Sequence, residues 1–198
     1  IVLWSELSMV RAASLLCVGV LLNGVMASAL AHEKHKKNQK PDNLNCKQAN
    51  ILCAATVTSA FDAQGNLWRL WSQNNKLYYQ KSVNSGLSFG SINSVAIPAE
   101  KISSRGENRP KIGFDHNQGV YISWASPGEK RFTADVRLTY SFDGGKSFQV
   151  PVTVNDDNLI AGHSFNEMLV SPQGEVSLVW LDSRDKILKK FPGTGSAI

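Results

Sequence analysis

The chain has 198 residues, 42% of them hydrophobic and 19% charged, which is the composition and size of one globular domain. Its formal net charge of +5 owes much to one short segment, His32 to Lys37 with Lys40, so the basic balance is no argument for a nucleic-acid surface.

Taken from the start, Met9-Val10-Arg11 leads into an apolar run from Ala12 to Val25, followed by the small residues Ala27-Ser28-Ala29-Leu30-Ala31. A positive start, a short apolar stretch and an A-x-A exit predict a secretory signal peptide cleaved after Ala31. The run is short for ~30 Å of hydrocarbon, so no stable membrane span is expected after cleavage. Cys17 lacks the residues that precede a lipidated cysteine, and Ile1 to Ser8 lie upstream of the first methionine. Residues 1–31 are therefore read as leader, and residues 32–45, polar and ending near Pro41, as a flexible basic tether. Residues 46–198 are read as one β domain, periplasmic or secreted. Cys46 and Cys53 are the cysteines left after cleavage. In an exported chain they can form a disulfide that pins the tether, and two free thiols are the other reading.

The rest of the chain repeats. Ala60 to Trp71, Gly113 to Trp124 and Leu169 to Trp180 share an apolar stretch, a polar turn and an alternating strand ending in Trp. The turn glycines Gly65, Gly119 and Gly174 are spaced by 54 and 55 residues. Glycine supplying positive φ and a period-2 strand together predict a β-hairpin. A second pattern follows the first two hairpins, Leu77 to Phe89 and Val136 to Phe148, each leading into a further β run, to Ile97 and Val154. No amphipathic helix is expected after the leader. Units of four antiparallel strands recurring in this way predict an all-β fold, a β-propeller of four-stranded blades. Two blades and half of a third fit in the chain, which reads as the N-terminal portion of a larger ring.

Ser141-Phe142-Asp143-Gly144-Gly145-Lys146-Ser147-Phe148 resembles the Asp box, S-x-D-x-G-x-S/T-x-W/F, of sialidase-like propellers, and Ser82 to Phe89 resembles it with Asn84 in place of Asp. Within these turns Ser141, Asp143, Gly145, Ser147 and Phe148, and Ser82, Asn84, Gly86, Ser88 and Phe89, are read as structural. A short carboxylate or amide bonds its own backbone, glycine permits the reversal, and the aromatic packs beneath. The resemblance runs from about Cys53 to Arg184, places the chain among bacterial BNR-repeat, exo-α-sialidase-like proteins, and implies a ring of six blades.

It also implies where a site belongs. The Asp boxes and the hairpin turns share one end of the blades. The opposite end gathers Arg105, Glu107 and Arg109, then His163, Asn166 and Glu167, then Asp182, Ser183 and Arg184. A sialidase needs arginines that bind the sugar carboxylate through their planar forks, and an acid for the leaving oxygen. Arg105, Arg109, His163 and Arg184 are the candidate substrate-binding residues, and Glu167 and Asp182 the candidate catalytic ones. The implied function is a glycoside hydrolase acting on terminal acidic sugars, and the alternative is a non-catalytic propeller that binds glycans or protein partners. The F/Y-R-I-P motif of established sialidases is absent, which favours the alternative. No metal or cofactor is expected, and no Ser/His/Asp triad, zinc spacing or nucleic-acid motif is present.

Overall fold

The computed structural model describes residues 44–188. The predicted leader, most of the tether and residues 189–198 lie outside them. Ten strands follow one another: β1 Val57–Phe61, β2 Leu67–Gln73, β3 Lys76–Ser82, β4 Asn93–Ser94, β5 Lys111–Phe114, β6 Val120–Pro127, β7 Ala134–Ser141, β8 Val152–Thr153, β9 His163–Val170 and β10 Val176–Asp182. They form two four-stranded antiparallel sheets in the orders β1-β2-β3-β4 and β5-β6-β7-β8, and a β9–β10 hairpin. The described chain is thus all-β in repeated antiparallel units, as its sequence period predicts. The outermost strands are shorter than the sequence suggests, two residues each in β4 and β8. Pro98 and Pro151 flank these runs and cannot donate to a ladder. A 3-10 turn at Ile51–Cys53 and, among the described residues, one short α-helix, α1 Arg184–Leu188, were not expected. The α-helix begins where the Asp182 side chain accepts from Arg184 N at 2.8 Å.

The hairpin turns owe their shape to an aspartate rather than to the glycine alone. Asp62 Oδ1 accepts from Gln64 N and Asn66 N, and its Oδ2 accepts from Trp68 Nε1 at 2.9 Å. Asp115 does the same for Asn117 N and Gly119 N, and Tyr121 OH donates to its Oδ2 at 2.9 Å. Ser171 holds the third turn through Glu175 N. The equivalent positions are therefore Asp62, Asp115 and Ser171, and Gly119 stands one residue later against them than Gly65 and Gly174 do. In the second turn Gln118 takes the positive φ of 66° that Gly65 and Gly174 take in the others. This corrects the reading that glycine always supplies the reversal.

The turns after β3 and β7 repeat atom for atom. Ser82 Oγ accepts from Gly86 N at 2.8 Å, and Ser141 Oγ from Gly145 N at 2.9 Å. Asn84 Oδ1 accepts from Ser88 N, and Asp143 Oδ1 from Ser147 N, both at 2.9 Å. Asn84 thus replaces Asp without loss of the turn, because one carbonyl-type oxygen suffices for the backbone bond. Gly145, at φ 88°, packs so close to Trp68 that a Cβ would lie 3.1 Å from the ring. Tyr79 OH donates to its carbonyl at 2.8 Å. The second unit's turn is thereby tied to the first unit's sheet.

The core fills the space between the two four-stranded sheets. Trp68, Leu70, Leu77 and Tyr79 from the first meet Ile112, Val120, Ile122 and Trp124 from the second, all buried. Trp71, Trp124 and Trp180 each stand nine residues after the turn residues Asp62, Asp115 and Ser171. Trp124 packs back against the first sheet, while Tyr121, on the other face of β6, lies against the β9–β10 hairpin near Gly174. Alternation along β6 thus buries both faces, and its six residues Val120–Ala125 are all buried.

Before β1, Cys46 and Cys53 are joined by a disulfide with Cα atoms 5.6 Å apart. Gln73 Nε2 donates to the carbonyls of Cys46 and Gln48, and Asn74 Nδ2 to that of Cys46. These bonds fasten the segment to the β2–β3 turn.

Asp62 generates a pH prediction. Burial pushes its carboxyl up, but Trp68, Asn66 and Lys81 outweigh that and bring it from 3.8 down to about 2. The folded state then binds fewer protons than the unfolded one between these values. Stability is expected to be fully present above pH 3.8 and to fall as the pH drops towards 2. Denaturant midpoints measured along this range should show Asp62→Asn with a shallower decline than the parent chain.

Candidate functional site

At the end of the sheets opposite the Asp-box turns, three segments converge: the β8–β9 connection, the start of β9, and the end of β10 with α1. His163 opens β9 and is fully buried. Its Nδ1 lies 2.9 Å from the Ala134 carbonyl, which can only accept, so Nδ1 carries a proton. Its Nε2 lies 2.9 Å from Asp157 Oδ2 and 3.6 Å from Asp182 Oδ1. Arg184 closes the group. Its Nη2 is 2.6 Å from Asp182 Oδ2, its Nη1 2.9 Å from Asp156, and its Nε 3.3 Å from Asp157. Trp180 Nε1 adds a bond to Asp182 at 3.1 Å. Gly162 lets the β8–β9 connection pass close by: a Cβ there would meet the Phe132 carbonyl at 2.7 Å.

The electrostatics follow from this packing. Burial pushes the Asp182 carboxyl up, but the Arg184 and Trp180 bonds and the His163 charge hold it below the usual carboxylate range. Asp157 is held low in the same way against its burial, by His163, the Leu159 amide and Arg184. Asp157, His163 and Asp182 bring one ligand atom each within 4.8 Å of one another, close enough for a metal ion. The Arg184 guanidinium already lies on both carboxylates, so the positive charge they need is supplied by the chain itself.

The other candidates lie on a neighbouring feature. Arg105 and Asn108 close a tight turn before β5, with Arg105 N to Asn108 O at 3.3 Å and Asn108 N to Arg105 O at 3.0 Å. Arg105 is exposed. Arg109 is half-buried, donates to the Gly106 carbonyl at 3.3 Å, and leaves its Nε buried without a partner. Asn108 Oδ1 accepts from Phe165 N at 3.0 Å, which fastens the loop to β9. Phe165 has φ 57° and the β9–β10 register shifts between Val179 and Leu181, the signature of a β-bulge. Glu167, whose side chain is 65% exposed, pairs with the buried Lys111, whose Nζ also donates to the Glu107 carbonyl.

The structure therefore brings His163, Asp182 and Arg184 into one buried network and sets Arg105, Arg109 and Glu167 around Lys111 and the 105–109 turn. Asn166 turns inward instead, donating to Ser123 at 2.8 Å. Sequence reading missed Asp157, Asp156 and Lys111. The pair Asp156-Asp157 lies in a connection with no repeat partner, and Lys111 reads as an ordinary strand residue. The one usable signal was its place beside Arg109 and Pro110 at the start of a repeated strand.

No protein-family model matches the chain, and no curated protein does. Among solved structures, the endo-arabinase from Bacteroides thetaiotaomicron VPI-5482 aligns with 15% sequence identity and a TM-score of 0.43, over 71% of this chain and 52% of that one. The chain spans about half the length of that structure.

Removing Arg184 tests the network. Arg184→Ala strands two nearly buried carboxylates beside His163 and is expected to cost about 2 kcal/mol or more. Arg105→Ala, at the exposed end of the turn, is expected to cost under about 0.5 kcal/mol, as surface changes do. Urea unfolding of the two variants checks the order.

Proposed function

We propose that the chain forms part of an exported, sialidase-like β-propeller in which the two four-stranded sheets and the β9–β10 hairpin are successive blades of a six-bladed ring, and that this propeller is a glycoside hydrolase acting on terminal acidic sugars. The two serine-and-Asx turns with matching bonds support the blade assignment. So does the contrast between β6, buried on both faces, and β10, where Val179 and Leu181 are exposed as a face awaiting a further blade would be.

The observation that carries the functional reading is the tie through Lys111. One ammonium, at the first residue of β5, joins the arginine-bearing turn to Glu167, an exposed carboxylate in the middle of β9. In this reading Arg105 and Arg109 receive the sugar carboxylate, and Glu167 is the acid or base at the glycosidic oxygen. Asp182 and Arg184 hold the β8–β9 connection in place behind them, and His163 belongs with them rather than with the sugar.

A second reading, non-catalytic recognition of glycans or a protein partner, is favoured by one observation. Asp182 and Arg184 satisfy each other, which leaves Glu167 as the exposed candidate carboxylate of the described residues. The test uses the longest product of the reading frame that carries this chain. Release of the aglycone from an aryl α-sialoside is expected, with kcat/KM lowered about 100-fold or more by Glu167→Gln and KM raised by Arg109→Ala. Binding of a sialylated glycan without turnover would decide for the second reading, and neither binding nor turnover would defeat both.

A further inference from the structure

We propose that the cavity between the β6–β7 loop and the β8–β9 connection is a binding site for an uncharged pyranose. The cavity measures about 560 Å³ and is walled on one side by residues 128–130 and 133–135 and on the other by Thr153, Asn155 and residues 158–161. That is room for one or two sugar rings and lies within the usual range of small-ligand sites.

Its walls combine the two things a sugar needs. Hydroxyl groups need acceptors and donors, and the cavity offers Glu129, Asp135 and Asn158, of which Asp135 is held by a neighbour. Asp135 is only partly engaged: its Oδ1 accepts from Asn155 Nδ2 at 3.1 Å, and its side chain is 53% exposed. Asn155 is itself fixed, because its Oδ1 accepts from Val136 N at 2.9 Å. The C–H face of a sugar needs apolar surface, and Leu159, Ile160 and Ala161 supply it, with Ile160 62% exposed.

Phe132 lies beside the cavity, on the loop between the wall residues Lys130 and Thr133 and outside the lining itself. It is 81% exposed, with φ 63°, a conformation costly for an aromatic residue. The Arg131 guanidinium lies 4.5 Å from the ring centroid. An exposed ring held from one side is a platform on which the apolar face of a sugar can stack.

The charge of the walls sets the ligand class. Among the lining residues two carboxylates, Glu129 and Asp135, stand against one ammonium, Lys130, while the Arg131 guanidinium sits on the Phe132 ring outside the lining. An acidic sugar would meet net repulsion here, whereas an uncharged ring gains hydrogen bonds from the same carboxylates. The site shares no residue with the Arg105–Arg109 turn, and it stands whether or not the protein hydrolyses sialosides.

The test is a titration of the full chain, labelled with nitrogen-15, by methyl galactoside, methyl mannoside and N-acetylglucosamine. Saturable shifts are expected for the amides of residues 130–134 and 158–161 with at least one of the three. Asp135→Asn should weaken that binding roughly tenfold, while circular dichroism shows the fold intact, since the side chain is 53% exposed. Arg105→Ala should leave it unchanged. Absence of saturable shifts at these amides with all three sugars, or undiminished binding to Asp135→Asn, would overturn the proposal.

Discussion

A short polar side chain bonding the backbone of its own turn is the interaction on which this structure depends. Asp62 and Asp115 do it at the first turn of each sheet, and Asn84 and Asp143 at the last. Each such turn satisfies amides that would otherwise have no partner at the end of a hairpin. It also fixes where the strands reverse, and so fixes register, because a slip of one residue would turn every core side chain outward. Trp68 can face Ile122 and Trp124 only if Asp62 has set the register of β2. The indole nitrogen of Trp68 then returns a bond to the same aspartate.

From that constraint the division of the molecule follows. One end of the sheets is occupied by turns that bond to themselves and to the neighbouring sheet, as Tyr79 does to Gly145. Such an end is closed chemistry. The other end carries the longer connections, whose polar groups are not used up by turn geometry. There the chain places a buried His–Asp–Arg network, an arginine-bearing turn and a cavity. The network is costly to dehydrate, so its value lies in holding the β8–β9 connection in one arrangement rather than in stabilising the fold as a whole.

Much of the fold was legible in the sequence because it repeats. The recurrence of Phe-Asp turns, the Ser-x-Asx-x-Gly pattern and the terminal tryptophans each reports a local requirement that two units solve alike. Where the units differ, the reading failed. Gly119 looked equivalent to Gly65, but Gln118 takes the positive φ, and only the Asp115 bonds show the true alignment. The candidate site was less legible for the same reason. Asp157 and Lys111 matter through partners 6 and 56 residues away, His163 and Glu167, and no local pattern announces such pairs. His163, Asp182 and Arg184 stood out in the sequence because they flank repeated strands. Their mutual neutralisation became visible only in three dimensions.

Side chains, and not only backbone ladders, hold the repeated turns. Native-state hydrogen exchange reads this directly at Ser88 and Ser147, two exposed residues whose amides donate to Asn84 and Asp143. Their amides are expected to exchange at least about tenfold more slowly than those of Val83 and Phe142, exposed residues in the same turns. Equal exchange at all four, with Gly86 and Gly145 equally unprotected, would show that the side chains do not hold these turns.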